Sequence, residues 1–138
     1  ALQNERSQLR RETDINIKYG AGGMLDIYFA MRYLQLRDNV PDEPGDRSTP
    51  HMLERLKTSG SLDGEMFEEL LAGYHFLATL DHNLRLTVGR TTRVPQANLT
   101  ALETIAKRMH LRSSSELLEQ LTLHRLNVRA AFDAITAG

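Results

Sequence analysis

The stretch that decides the fold is residues 63–90, which read DGEMFEELLAGYHFLATLDHNLRLTVGR. Its apolar residues recur at spacings of three and four, as they do on one face of an α-helix. At a rise of about 1.5 Å per residue this helix would be about 40 Å long, the length of a whole helical bundle. The predicted core stripe is Met66, Leu70, Gly73, Leu77, Leu80 and Leu84, flanked by Phe67, Tyr74 and Val88.

Helical patterns continue on both sides of this stretch. Residues 24–37, MLDIYFAMRYLQLR, are apolar over most of the helical circumference, which predicts a central helix with partners on several sides. A short helix over 50–58 is expected to end at Ser59-Gly60, where glycine can adopt a left-handed cap. The prolines, glycine and charges of residues 39–50 predict an exposed, mobile loop.

Two capping boxes mark the helices of the C-terminal third. Thr100-x-x-Glu103 predicts a helix that extends through Met109, and Ser113-x-x-Glu116 predicts one that extends through Ile135. The last helix carries the stripe Leu117, Leu121, Val128, Phe132 and Ile135, which His124 and Arg125 interrupt. Asn98-Leu99-Thr100 matches the glycosylation pattern, but we interpret it as chance together with a helix cap.

We therefore predict an all-α fold, an up-and-down bundle of five or six helices with a short extended N-terminal segment. The strand candidate is residues 14–18, and it leads into Gly20-Ala21-Gly22-Gly23. We expect a single domain over 1–138, with a connecting helix and the Gly-rich segment in 1–22 and the bundle in 23–138. Because the chain opens at Ala1, we expect it to be a fragment of a larger protein.

Composition narrows the classes of function. The 138 residues are 41% hydrophobic, which is enough for one domain to bury its own core. The chain has 17 basic and 18 acidic residues, so it lacks the positive net charge that is typical of nucleic-acid-binding domains. The absence of cysteine excludes disulfides and thiolate chemistry and favours a cytoplasmic location. No apolar run reaches the roughly 20 residues of a membrane span. We expect neither nucleic acid nor a membrane as partner.

Two local features could have a functional role, and each has a structural alternative. The glycines before residue 24 could present helix amides to a phosphate, but they lack the dinucleotide and Walker patterns, and a tight turn explains them better. Asp26 lies in the first turn of the following helix, where a capping role competes with a catalytic or metal-adjacent one.

The long helix carries further candidates. Asp81 and Arg85 have the i,i+4 spacing of an ion pair, which could be a bundle staple or the edge of a binding cleft; we favour the staple. Arg85, Arg90 and Arg93 lie near the helix C-terminus, where the dipole favours cations, although a phosphate or an acidic partner would also suit them. His75 and His82 share a face but have no third ligand, so no metal site is predicted.

Residues 14–27, DINIKYGAGGMLDI, resemble the D-I-K-x-G-x-G-G-x-x-D-I-E-F segment of glutamine synthetase adenylyltransferases. Residues 74–86, YHFLATLDHNLRL, are similar to the family's Y-x-F-L-R-x-L-E-x-R-L-R-L helix. Val94-Pro95 stands where the family has Leu-Pro, and residues 128–132, VRAAF, resemble its V-R-x-x-F close. Order and spacing hold across nearly the whole chain.

The resemblance implies the helical domain that follows a nucleotidyltransferase domain. The family attaches AMP from ATP to glutamine synthetase or removes it, in two tandem halves, and residues 24–27 look more like the C-terminal, attaching half. The Gly-Ser and Asp-x-Asp motif that holds magnesium and ATP is absent here, so the resemblance implies no catalytic residue in this chain, no cofactor bound by it alone, and ATP and Mg in the parent enzyme.

By resemblance, Lys18, Gly22, Gly23 and Asp26 border the cleft, while Asp81, Arg85 and Arg129 are candidates for structural or partner contacts. The implied partners are the upstream nucleotidyltransferase domain, glutamine synthetase and the PII signal protein. Two alternatives stay open: a non-catalytic helical interaction module, and the related domain of a PII uridylyltransferase. The chain departs from the family pattern at Tyr28, Arg32, Ala78 and Asn83, where the family has Glu, Gln, Arg and Arg.

Overall fold

The computed structural model describes residues 15–138, and this part of the chain forms five α-helices. They are α1 (Met24–Asp38), α2 (Thr49–Thr58), α3 (Gly64–Thr87), α4 (Leu99–Arg108) and α5 (Ser114–Ala137). The all-α prediction is confirmed. The connecting helix and the strand start predicted before residue 15 lie outside the described residues. Residues 15–23, called the N-terminal segment from here on, precede α1.

The helices pack in chain order, as in an up-and-down bundle. Each helix contacts the next one, and α5 also lies against α1 and α3. Their facing sides form one continuous core, to which the N-terminal segment contributes Ile15 and Ile17. The largest fully buried side chains include Leu70, Leu77, Leu80 and Leu84 of the predicted α3 stripe.

Helix α3 begins and ends for identifiable reasons. The Asp63 carboxylate accepts a hydrogen bond of 2.8 Å from the Met66 amide and caps the N-terminus. The helix ends at Thr87, three residues before the predicted end at Arg90, and the chain turns at Gly89 with φ of 121°. Phe67 is buried, whereas Met66 of the predicted stripe is only partly buried.

Helix α1 is less central than its composition predicts. One face is buried through Ile27, Met31 and Leu34. Helix α1 has the predicted partners on several sides, since it packs against α2, α3 and α5. Phe29 is 51% exposed and Leu36 is 78% exposed, however, so a second apolar face has no neighbour among the described residues. Apolar residues alone do not say whether a face meets a neighbour within the same chain.

The two predicted caps in the C-terminal third have different outcomes. Ser113 caps α5 as predicted, because its hydroxyl accepts from the Glu116 amide at 3.2 Å. Thr100 is not a cap: Asn98 accepts from the Ala101 amide and α4 begins one residue later. The interpretation of the Asn98 motif as a helix cap is therefore confirmed, and the Thr100 box is wrong.

Side chains fix the loop between α1 and α2 at several points, which its composition does not reveal. The Gln35 amide of α1 donates to Asp42 at 2.8 Å, and the Arg55 guanidinium of α2 donates to the Pro41 carbonyl at 2.7 Å. The His51 ring lies 2.6 Å from a Glu43 carboxylate oxygen. The loop is exposed as predicted, but these contacts tie it to both neighbouring helices.

Helix α3 packs tightly against α5 at Gly73. A Cβ added to Gly73 would overlap the Val128 Cγ2 methyl group. Valine is stiff in a helix, so its methyl group cannot easily rotate away. Glycine in the middle of α3 thus sets how near the two long helices approach.

We expect Gly73→Ala to lower the free energy of unfolding by about 1 kcal/mol, because the cost of overpacking exceeds the gain in helix propensity. Chemical denaturation of the chain measures this change. Gly64→Ala is the matched control, since nothing lies within 4 Å of the added methyl group. Equal stability of the two variants would contradict the proposed close contact.

The His51 contact should make the loop pH-dependent. The hydrogen bond to Glu43 raises the pKa of His51 above 6.5 and lowers the pKa of Glu43 below 4.5. The stability that protonated His51 contributes is therefore complete below pH 6.5 and is lost as the pH rises through its raised pKa. The stability that ionised Glu43 contributes is present above pH 4.5 and is lost as the pH falls through its lowered pKa. The contact stabilises the fold most between these two values.

We expect the melting temperature of His51→Gln to fall below that of the parent chain at pH 5.5 and to approach it at pH 8.5. Thermal melts across this range test the expectation. His82→Gln, a change at an exposed histidine of α3, should leave the pH profile unchanged. A constant difference between His51→Gln and the parent chain at all pH values would show that the ion pair does not form.

Candidate functional site

The N-terminal segment is held to the rest of the fold by a short antiparallel bridge. The Ile17 amide donates to the Thr92 carbonyl at 2.8 Å, and the Val94 amide donates to the Ile15 carbonyl at 2.9 Å. Both isoleucines are buried, so the polar backbone of the segment pairs while its side chains enter the core. The predicted extended segment is thus a single bridge among the described residues.

The predicted cleft residues lie close together, in the tight turn that joins this bridge to α1. The Gly23 amide donates to the Gly20 carbonyl at 3.0 Å, and the Leu25 amide donates to the Lys18 carbonyl at 3.0 Å. The Lys18 side chain is exposed, with its Nζ 5.4 Å from the centroid of the Tyr19 ring. Of the four predicted residues, only Lys18 therefore presents a charged group that is largely exposed.

Gly22 is the point at which this turn touches α5. Its φ of 72° is left-handed, and an added Cβ would overlap the Arg125 carbonyl of α5. The Arg125 guanidinium in turn donates to the Ala21 carbonyl at 3.2 Å. Only glycine satisfies both the backbone angle and the close approach, so a structural requirement accounts for this glycine.

The Asp26 carboxylate joins the turn to α5 a second time. One oxygen accepts from the Gly22 amide at 2.6 Å and from the Arg129 guanidinium at 3.1 Å. The Asp26 side chain is 14% exposed and the Arg129 side chain 45%, so the pair is partly shielded from water. Arg129 also lies 3.3 Å from Asp133 and stacks over the Phe132 ring.

These bonds decide between the two interpretations of the glycines. The amides of residues 20, 22, 23, 24 and 25 all donate to oxygens of the chain itself, within the turn or in Asp26. An anion would have to displace those acceptors, so the turn does not offer a ready phosphate cradle. The tight-turn interpretation is favoured, and the Asp26 carboxylate bonds the turn before α1 at the Gly22 amide, while Gly23, the N-cap of α1, has no side-chain cap.

The predicted pair on α3 forms as expected. Arg85 Nε lies 3.3 Å from Asp81 Oδ2, and the aspartate side chain is 21% exposed while the arginine is 67% exposed. One oxygen of Asp81 holds one edge of the guanidinium. This pair lies on a single helix, so it does not staple α3 to a neighbour.

Arg85 also lines a concavity of about 560 Å³ at the C-terminal end of α3. The other lining residues come from the loop that pairs with the N-terminal segment, and they are Arg90, Thr91, Thr92 and Arg93. The three arginines that the sequence placed near this helix end therefore share one surface. Sequence spacing alone could not show this, because the loop turns back at Gly89.

The positions that depart from the family pattern have different environments. Tyr28 is 45% exposed and contacts Phe29 edge to face, with 5.7 Å between the ring centroids. Arg32 lies 3.4 Å from Asp42 of the loop before α2. Asn83 is buried, and its amide donates to the Thr79 carbonyl of the same helix at 2.9 Å.

Residues 15–138 contain no group of three or more histidine, aspartate and glutamate side chains that could hold a metal. No helix in the same range is both long and apolar enough to cross a membrane. Sequence reasoning missed the contacts of Arg125 and Asp133 with the site. Their four-residue spacing around Arg129 on α5 is the signal that could have indicated them.

Comparison with protein families gives a match over residues 1–136 to the family described as GlnD PII-uridylyltransferase. Similar curated proteins carry the name bifunctional glutamine synthetase adenylyltransferase/adenylyl-removing enzyme. The protein from Nitrosomonas eutropha is 35% identical over 99% of this chain, and that from Nitrosomonas europaea is 35% identical over all of it. One from Corynebacterium diphtheriae is 36% identical over 72% of the chain.

The chain spans only a small part of these relatives. It covers 15% of the Nitrosomonas eutropha protein, 16% of the Nitrosomonas europaea protein and 9% of the Corynebacterium diphtheriae protein. The similarity therefore concerns one helical region of much longer polypeptides.

We expect the coupling free energy measured by a double-mutant cycle to be larger for the Asp26–Arg129 pair than for the Asp81–Arg85 pair. Asp26→Ala should cost about 1–3 kcal/mol of unfolding free energy, because it leaves the Gly22 amide without its acceptor. Arg129→Ala should cost less, and the double variant should cost less than the sum. Asp81→Ala and Arg85→Ala form the control cycle, with a coupling of about 0.5 kcal/mol or less because Arg85 is well exposed. Additive effects of the Asp26 and Arg129 substitutions would show that the two side chains do not stabilise the fold through their contact.

Proposed function

The chain belongs to the family described as GlnD PII-uridylyltransferase, and we propose that, within this family, it is the helical accessory domain of an enzyme that transfers AMP to, or removes it from, glutamine synthetase. The observation that carries this proposal is the 35% identity along essentially the whole chain to proteins named for that activity. The five-helix fold with its Gly-rich entry segment supports it.

The chemistry is assigned to another part of the parent enzyme. Gly60-Ser61 is the only Gly-Ser pair in the chain, and the Asp63 that follows caps α3. No metal-binding group is found in residues 15–138, and the amides of the glycine turn are already paired. The residues described here do not fit ATP with magnesium, so an upstream nucleotidyltransferase domain would hold both. The chain alone should be inactive.

We assign Lys18, Gly22, Gly23 and Asp26 to the border of the cleft between that domain and this one. Support comes from their position in the segment that leads from the N-terminal side of the chain into α1. The bonds from Asp26 to Arg129 and from Arg125 to Ala21 hold the turn against α5, so the turn can present a fixed edge to a neighbouring domain. Lys18 adds an exposed cation to that edge.

Docking of glutamine synthetase would use an exposed apolar face. Tyr28, Phe29 and Leu36 of α1 are 45%, 51% and 78% exposed. Large aromatic side chains at a surface are typical of protein interfaces. The Glu of the family pattern is Tyr28 here, so this surface is more apolar than in the pattern. We place the partner contact on this side of α1.

The test is transfer of label from α-labelled ATP, with magnesium, to purified glutamine synthetase. The full parent protein should label the target and the 138-residue chain should not. A second arm offers α-labelled UTP and PII protein, because the family description names that reaction. Label on glutamine synthetase from the chain alone, or label on PII only, would overturn the proposal.

In the parent enzyme, Asp26→Ala should lower the rate of transfer by at least tenfold at a temperature where the variant is fully folded, since release of the turn misplaces the cleft border. Initial rates and thermal melts of the same preparation separate activity from stability. Asp133→Ala is the control, because it removes the other partner of Arg129 without touching the turn. Unchanged turnover in Asp26→Ala would show that the aspartate is only a helix cap.

A further inference from the structure

One histidine ties the loop between α1 and α2, residues 39–48, to the first turn of α2. The His51 Nε2 atom lies 2.6 Å from a Glu43 carboxylate oxygen, and its Nδ1 atom lies 3.8 Å from an Asp46 carboxylate oxygen. A neutral imidazole has one N–H and no charge, whereas the imidazolium has an N–H at both nitrogens. Two carboxylates at the two nitrogens therefore fit the protonated ring, and loss of the proton weakens both contacts.

The charged groups that act on the His51 ring are Glu43 and Asp46 of the loop and Arg55 of α2. The hydrogen bond from His51 lowers the pKa of Glu43 below 4.5, and the hydrogen bond from the Ser48 amide lowers the pKa of Asp46 below 3.8. Both carboxylates therefore stay ionised between pH 5.5 and 8.5. Arg55 stays charged over the same range, with its Nε 3.6 Å from Glu43. Of these four groups, only the imidazole changes its charge in this range.

A further carboxylate of the loop contacts α1. Asp42 Oδ1 accepts a hydrogen bond of 2.8 Å from the Gln35 side-chain amide and lies 3.4 Å from the Arg32 guanidinium. Gln35 is buried, so its amide has a fixed position from which it holds the loop. Asp42 and Glu43 are adjacent in the chain, and the loop thus carries one carboxylate to each helix. A movement of Glu43 away from α2 therefore also displaces Asp42 from α1.

We propose that this cluster is a pH-sensitive latch, in which protonated His51 holds residues 39–48 against α1 and α2. Loss of the proton loosens the loop as a unit and releases Asp42 from Arg32, while the helical bundle stays folded. Arg32 lies one turn from Phe29 and from Leu36, the two most exposed apolar residues of α1. Opening of the latch therefore adds an unpaired cation to this apolar face. The latch does not depend on the proposed adenylyl transfer.

The experiment is NMR of the ¹⁵N-labelled 138-residue chain between pH 5.5 and 8.5. The Asp46 amide donates to the Glu43 carbonyl at 3.2 Å, and the Ser48 amide donates to the Asp46 carboxylate at 2.9 Å. Their protection factors, corrected for the pH dependence of intrinsic exchange, should fall about twofold to fivefold as His51 loses its proton. The side-chain amide signals of Gln35 should shift with the same midpoint as the His51 ring, because they report the contact with α1.

Two variants of His51 separate charge from packing. His51→Gln is uncharged at every pH, so the Asp46 and Ser48 amides should show the lower protection throughout and the Gln35 signals should not titrate. His51→Arg carries a permanent charge and should keep the higher protection at both ends of the range. His82→Gln, a change at an exposed histidine of α3, should behave as the parent chain.

Three results would overturn the latch. They are equal protection of the loop amides at pH 5.5 and 8.5 in the parent chain, the same pH-dependent loss in His51→Gln, and Gln35 signals that stay constant while the His51 ring titrates. All of these measurements use this chain without glutamine synthetase. Failure of the latch is therefore distinguishable from failure of the proposed function, which is tested on the parent enzyme.

Discussion

The structure depends on two glycines that let other parts of the chain approach α5 closely from two sides. Gly73 lets α3 approach Val128, and Gly22 lets the turn before α1 reach the carbonyl of Arg125, three residues earlier on the same helix. A side chain at either glycine would push a neighbour away from α5. The middle of α5 therefore fixes the positions of the long helix and of the segment that enters the bundle.

This constraint explains why the Gly-rich segment is a joint and not a ligand cradle. Its amides and the Asp26 carboxylate are used to hold the turn together and to α5. The turn lies between two other surfaces of the molecule: the exposed face of α1, and the loop after α3 whose Thr92 and Val94 pair with the N-terminal segment.

Much of the fold follows from local sequence, because helix periodicity and short-range caps act within a few residues. The α3 stripe, the Ser113 cap and the Asp81–Arg85 pair were all predictable for that reason. Periodicity could not show that α1 leaves Phe29 and Leu36 exposed, since that depends on which faces find partners.

The site was predictable only in part for the same physical reason. Resemblance placed Lys18, Gly22, Gly23 and Asp26 together, and they do lie in one turn. The link from Asp26 to Arg129 spans 103 residues, and no local pattern connects the two. The shared surface of Arg85 and Arg90 likewise requires the chain to turn back at Gly89.

Amide hydrogen exchange measures most directly whether the N-terminal segment and α5 form one cooperative unit. The amides of Ile17 and Gly22, which donate to Thr92 and Asp26, should exchange as slowly as amides in the middle of α5. Exchange of these two amides at the rate of the exposed Gly45 amide would show that the N-terminal segment is not held to the bundle, which would contradict its proposed attachment to α5.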